Sequence, residues 1–292
     1  MDSRTTPWAR RAIEHVARSA SGYVLDRSLR VTLNFHPDRL VDGATVLQRL
    51  AHDGRYRSQF ETGTSNGGLS AHPGGDRWRW EQRMFGHAYD DAPAAERPKY
   101  GALDHRRRGM GGAPRFGSAH LRLTPSVLDR TTFCFPDSVF EPTALATADR
   151  FGLFPLVERF YARPLTDEIE ATEGGLLDDY VEAHVHGPVE LVADVEAVVL
   201  DPCFRRTPVE EQARVLGVRV AWHDGRRLTV AALAEHPAFR GPRTVEVGRR
   251  IAVDGLLDAS VIGRAARAGH EEPQDLKRVW HCVARFGQPV EA

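Results

Sequence analysis

Apolar residues recur at helical spacing over residues 7–20, where Trp8, Ala12, Ile13, Val16 and Ala17 share a stripe and Pro7 stands near the start. The pattern then turns to alternation. Residues 30–35 (RVTLNF) predict a strand that stops at His36-Pro37, and residues 40–51 return to a helical period through Leu40, Val46, Leu47 and Leu50. A short strand is expected at 56–61, a polar Gly-rich loop at 62–75, a helix at 77–85, a Pro- and Ala-rich connection at 90–98 and a basic Gly-rich loop at 105–114. Further strands are expected at 116–123, 131–135, 180–186 and 195–200, with 144–161 largely helical. From residue 207 the period is mostly helical (209–216, 230–235, 244–254, 260–286), with one strand at 218–222. These elements predict an α+β core over 30–206, a helical segment before it (1–29), and a mainly helical extension (207–292) packed on it.

Composition adds limits to this picture. A chain of 292 residues can bury a core without disulfides or structural metal. A net charge of −1 supplies no global field toward nucleic acid or a membrane surface, which argues against a dedicated DNA-binding module but not against a nucleic-acid substrate held by a local patch. Cys134, Cys203 and Cys282 are far apart and odd in number, so reduced thiols in a cytoplasmic setting are expected. Neither a signal peptide nor a membrane-spanning helix is expected, although export as an effector would need no such mark.

The sharpest chemical pattern lies at residues 180–189, YVEAHVHGPV. Alternation puts Tyr180, Glu182, His184 and His186 on one strand face and Val181, Ala183 and Val185 on the other. The polar row is either a solvated face or a site. As a site, Glu182 can stabilise positive charge growing on an anomeric carbon. Alternatively, His184 and His186, about 7 Å apart by strand geometry, can share one metal ion. A third ligand would then come from His36, His120 or an Asp. His36 ends the first strand and is followed by Asp38 and Arg39, where a rigid strand meets an open loop. The segment TGTSNGG (62–68) offers hydroxyls, an amide and convergent backbone N–H groups to a phosphate or ribose, without the residues of a Walker loop. In ERPKYG (96–101), Arg97 and Lys99 can pair with pyrophosphate and Tyr100 can stack on a flat ring; the bland alternative is a surface turn.

The strings YRSQFETGTSNGG (56–68), ERPKYGAL (96–103), RFGSAHLRL (115–123), RTTF (130–133) and YVEAHVHGPV (180–189) resemble a bacterial domain-of-unknown-function family, number 3626, over most of the chain. The order of parts is also similar to the ADP-ribosyltransferase superfamily. There a first strand ends in a His or Arg that holds the NAD ribose, a helix and a second strand with Ser/Thr follow, and a later strand carries the catalytic Glu. His36, the 40–51 segment, Thr64 with Ser65, and Glu182 fall in that order, and EAHVHGPVEL (182–191) is similar to the Glu strand of nucleic-acid-base-modifying toxins.

This resemblance implies a split mixed β-sheet core flanked by helices, with NAD as substrate. It implies Glu182, His36 and Tyr100 as catalytic residues. The NAD site it implies comprises His36, Arg39, Thr64, Ser65, Asn66, Arg97, Lys99, Tyr100, Gly101 and Ser118. ADP-ribose would pass to a protein or nucleic-acid acceptor with release of nicotinamide, as in a bacterial toxin or effector. Tyr180 stands where a Glu/Gln-x-Glu pair would have its first member, which argues against arginine- and Rho-modifying acceptors. Two other classes stay open: a metal-dependent hydrolase using His184 and His186, and a catalytically inactive nucleotide-binding protein.

Overall fold

The computed structural model describes residues 5–63, 70–162 and 177–290. At its centre eight strands form one sheet: β1 (Val31–Phe35), β2 (Lys99–Leu103), β3 (Ala119–Leu123), β4 (Thr131–Cys134), β5 (Leu145–Thr147), β6 (Val181–Val185), β7 (Val195–Leu200) and β8 (Arg219–Trp222). Their order is β8-β7-β3-β1-β2-β6-β4-β5. All neighbours run antiparallel except β7 and β8, which are parallel. The helices include α1 (Pro7–Ser19), α2 (Val46–Asp53), α3 (Asp76–Phe85), α4 (Phe154–Tyr161), α5 (Pro208–Val215), α6 (Val230–Ala234), α7 (Pro242–Ile251), α8 (Ala259–Ala268) and α9 (Pro273–Phe286). This is a mixed α+β architecture with a central mixed sheet. The C-terminal part beyond residue 207 does more than pack on it, since β8 joins the sheet itself.

The two sheet faces differ in chemistry. One carries Val31, Leu33, Phe35, Leu103, Leu121, Phe133, Val181, Val185 and Val198, all buried in the main apolar cluster together with Leu47 and Leu50 of α2 and Val157 of α4. The other carries Thr32, Asn34, His120, Thr132, Cys134, Glu182 and His184, equally buried. Such a layer is tolerated only if its polar atoms find partners. Two covers supply most of them, while His120 Nδ1 has no partner among the described residues. Helix α3 lays Arg77, Glu81 and Phe85, spaced one turn apart, over the β2–β6 region. The Gly-rich loop before β3 covers β1: Gly112 N–H donates to Thr32 Oγ1 at 2.9 Å, and Asn34 Nδ2 donates to the Met110 carbonyl at 2.8 Å. Gly111, at φ +81°, has the Asn34 and Thr32 side-chain oxygens where a Cβ would point, which is why this loop is glycine-rich.

Strand β1 is the seam of the sheet. It pairs with β3 from Thr32 to Phe35, but with β2 only at Val31↔Leu103 and Thr32↔Ala102. Strand β2, in turn, pairs with β6 along its whole length, Lys99 to Leu103. The β1–β2 ladder therefore ends partway and the sheet forks: Phe35 leaves with the β3 half, Lys99 and Tyr100 with the β6 half. Gly101 stands at the apex. A Cβ there would lie 2.5 Å from both the Thr32 carbonyl oxygen and a Leu33 methyl carbon, so a glycine is needed for the strands to come this close before parting.

Several elements depart from the periodicity. Leu40–Val41 and Ala44–Thr45 form a small hairpin where a helix start is predicted; a capping box between Thr45 and Gln48 begins α2 at Val46. A second capping box, Ser58 with Glu61, makes Gln59–Thr62 a helical turn, so paired strand is confined to Arg55–Tyr56, at the start of the predicted 56–61 element. Residues 99–103, where no strand is predicted, are the central strand β2, and 145–147, expected to be helical, are the edge strand β5.

Gly101→Ala is expected to destabilise the protein by about 1–3 kcal/mol, the cost of overpacking a position bounded by backbone. Urea unfolding measures it, and a change under about 0.5 kcal/mol, the range of an ordinary surface substitution, would show that the fork apex is not tight.

Candidate functional site

The fork opens into a cleft. Phe35, His36 and Arg39 form one wall and Lys99 and Tyr100 the other, with Tyr56 and Glu61 among the remaining lining residues. A second cleft meets it at His36 and Arg39 and runs toward α8 and α9, past Asp38, Arg115, Phe116, Arg267 and Lys277. His36 thus stands where the two join. Its ring packs edge-on against Trp280 of α9, centroids 5.3 Å apart, and Trp280 Nε1 is itself fixed to the Pro114 carbonyl at 2.8 Å. Burial, then the nearby Arg39 and Lys277 charges, pull the imidazole down to about 4. At neutral pH His36 is therefore a hydrogen-bonding group, not a cation.

Tyr100 reaches from the cleft wall into the interior. Its hydroxyl donates to Glu81 Oε1 at 2.9 Å, the Arg77 guanidinium lies 4.0 Å over its ring, and the His184 ring meets it edge-on. Burial pushes the Glu81 carboxyl up to about 7 against the pull of Arg97, Tyr100 and Arg77. Arg97, expected at a pyrophosphate, is committed elsewhere. It is buried, donates to Glu81 Oε2 at 2.5 Å and to the Tyr89 carbonyl at 2.7 Å, and lies between the rings of Phe60 and Trp78. Lys99 lines the cleft, but its ammonium is turned onto the Ala95 and Arg97 carbonyls, and burial lowers it to about 8.

Glu182, His184 and His186 do not form a solvated face. Glu182 Oε2 accepts from the Ser138 N–H and hydroxyl at 3.2 and 3.0 Å, and Oε1 lies 3.0 Å from His184 Nε2. Thr132 Oγ1 sits 3.1 Å from His184 Nδ1 and 2.9 Å from His186 Nε2, while Tyr89 Oη is 2.7 Å from His186 Nδ1. Burial holds both imidazoles neutral. With Glu182 as the acceptor from His184, one assignment then satisfies every atom: Tyr89 donates to His186, His186 to Thr132, Thr132 to His184, and His184 to Glu182. Cys134 Sγ completes a set with Glu182 and His184 whose potential ligand atoms lie within 4.8 Å of one another, all buried. Glu182 lines neither cleft at His36; the nearest link runs through His184 to Tyr100.

Of the other residues singled out in the sequence, Gly101 shapes the fork apex rather than a ligand surface. Ser118 is buried beside β3, where its carbonyl accepts from His223 Nε2 at 2.8 Å. Thr64, Ser65 and Asn66 lie outside the described residues. The clefts also bring in residues the sequence did not single out, notably Tyr56, Arg115, Arg267 and Lys277. For Lys277 a signal existed: it lies three and four residues before Trp280 and His281, hence on one helix face with them.

Two outcomes test this geometry. Thr132→Val keeps the shape but strands a nitrogen on each of two imidazoles. Thermal or urea unfolding should register a loss of about 1–3 kcal/mol for each, and an unchanged stability would refute the assigned chain. The second concerns pH. Burial lowers His120 to about 3. A depressed imidazole contributes stability that is complete above its unfolded value, near 6.5, and is lost as pH falls toward its folded one. The stability advantage of the native protein over His120→Asn should therefore shrink by about 2 kcal/mol between pH 7.5 and 5. A constant difference would mean that His120 is not held neutral.

No curated protein matches this sequence. A family described as "Protein of unknown function (DUF3626)" matches residues 30–155 and 152–286, which takes in the whole sheet, both clefts at His36 and nearly all of the C-terminal layer. The chain belongs to the DUF3626 family.

Proposed function

We propose that the chain is an NAD-dependent ADP-ribosyltransferase, which takes NAD as substrate, releases nicotinamide and passes ADP-ribose to a protein or nucleic-acid acceptor. The observation that carries this reading is the fork. The sheet divides between β1 and β2, and the residue that ends β1, His36, faces Lys99 and Tyr100 across the resulting cleft. A split sheet with a histidine at the end of its first strand is what the ADP-ribosyltransferase resemblance implies, and the aromatic and basic lining suits a dinucleotide.

In this mechanism neutral His36 hydrogen-bonds the nicotinamide ribose and Tyr100 offers its ring to nicotinamide. The glycosidic C–N bond breaks, nicotinamide leaves with the bonding pair, and the acceptor nucleophile attacks the anomeric carbon. Glu182 stabilises the positive charge on that carbon between the two events. Its carboxylate is now held by Ser138 and His184 beneath α3. Reaching a ribose therefore requires α3 to shift, and the Arg77–Ser138 hydrogen bond of 2.9 Å is a contact that such a shift would break. A metal-dependent hydrolase on His184 and His186 draws less support, because both rings are already bonded to one Thr132 hydroxyl.

Nicotinamide release from NAD tests the proposal. The native chain should release it, and Glu182→Gln should be slower by about 10²–10³-fold with an unchanged fold, the usual loss for a group that stabilises transition-state charge. No release by the native chain, or equal rates in the two proteins, defeats it.

A further inference from the structure

The second cleft at His36 lies at the boundary between the sheet and the C-terminal layer. Arg39 and Arg115 approach from the sheet side, Arg267 and Lys277 from α8 and α9. Two carboxylates share these walls, and both have basic partners: Asp38 accepts from Arg267 at 2.6 Å, and Glu271 takes two bonds from Arg250 at 2.8 Å each. The walls are also fixed in place. Gly263 of α8 has the Asp38 carboxylate where a Cβ would stand, so this helix lies directly against the turn that follows His36. Arg115 is held by an ion pair to Asp178, and Arg240 approaches the same carboxylate at 3.6 Å.

Four basic side chains line this cleft against two carboxylates. His281, one turn after Lys277 on α9, is buried with neither ring nitrogen hydrogen-bonded among the described residues. Burial keeps it neutral, reinforced by Arg240, Arg115 and Lys277. His36 responds in the same way to burial, Arg39 and Lys277. Positive potential therefore persists in a concave site whose histidines do not add to it, and whose other end opens into the aromatic fork.

We propose that this cleft binds the diphosphate group of a nucleoside-diphosphate ligand, with the C-terminal layer contributing Lys277 and Arg267 to the binding site. Guanidinium groups match phosphate oxygens in a planar fork and the ammonium acts as a mobile point charge, so the mixed set suits a doubly charged, extended group. That the ligand's far end lies in the fork rests on the ADP-ribosyl-transfer reading; the diphosphate site does not.

Calorimetry on the full chain with ADP and with adenosine provides the test. ADP should bind at least about tenfold more tightly than adenosine, and less tightly as salt is raised. Lys277→Ala and Arg39→Ala, each checked for native circular dichroism, should weaken ADP about tenfold, and Lys277→Arg should restore most of the loss. Equal affinity for ADP and adenosine, or indifference to both alanine variants, overturns the proposal. Nicotinamide release scores the other reading independently. ADP binding that depends on Lys277 without any release upholds this site and defeats the transfer reading; release with Lys277-independent ADP binding does the opposite.

Discussion

The close approach of two backbones at Gly101 is the constraint on which the candidate site depends. Only there do β1 and β2 run near enough to hydrogen-bond and then diverge. If the ladder continued, Phe35 and Lys99 would pair and there would be no cleft between His36 and Tyr100. If the approach were looser, the two halves of the sheet would lose the contact that sets their relative position. One missing Cβ thus reconciles a continuous sheet with an opening at its centre, where binding groups can be held on rigid strands.

The buried polar face adds a second level of order. A layer of Thr, Asn, His, Cys and Glu costs free energy unless its polar groups meet partners, and here most partners come from α3, the Gly-rich loop and Tyr89, with His120 Nδ1 left over. The directional chain from Tyr89 to Glu182 fixes the tautomers of two histidines and the orientation of the carboxylate. Such a network is all-or-none, which ties the geometry of Glu182 to elements far from it in sequence.

Much of this was legible in the sequence. The alternation at 180–186 gave the strand, its two faces and the group Glu182–His184–His186, and the RVTLNF run gave β1 with His36 at its end. What the pattern could not disclose was that the polar face is covered. Strand alternation separates apolar from polar residues, but not water from a helix bearing Arg77 and Glu81. Strand β2 was hidden for a related reason: KYGAL is short, does not alternate and follows Pro98, so local signals favour a loop, and its strand character comes from neighbours on both sides. Arg97 looked like a ligand for phosphate because sequence shows charge but not burial; its partner Glu81 lies sixteen residues away on α3. Nothing in the sequence sets Arg267 apart from its exposed neighbours; it lines the second cleft through its ion pair with Asp38, against which α8 packs.

The parallel strand β8 has a consequence for how the chain behaves outside its folded state. Its partner β7, VEAVVL, is nearly all apolar and buried from Val195 to Leu200 apart from the half-buried Glu196. Stripped of β8, it would become a sheet edge with a free row of amides, high β-propensity and no proline, the kind of segment that templates intermolecular pairing. Strand β8 places exposed Arg219 at that margin instead. The C-terminal part of the chain therefore also protects against aggregation: a chain cut before β8 would be prone to self-associate through β7, whatever else it had lost.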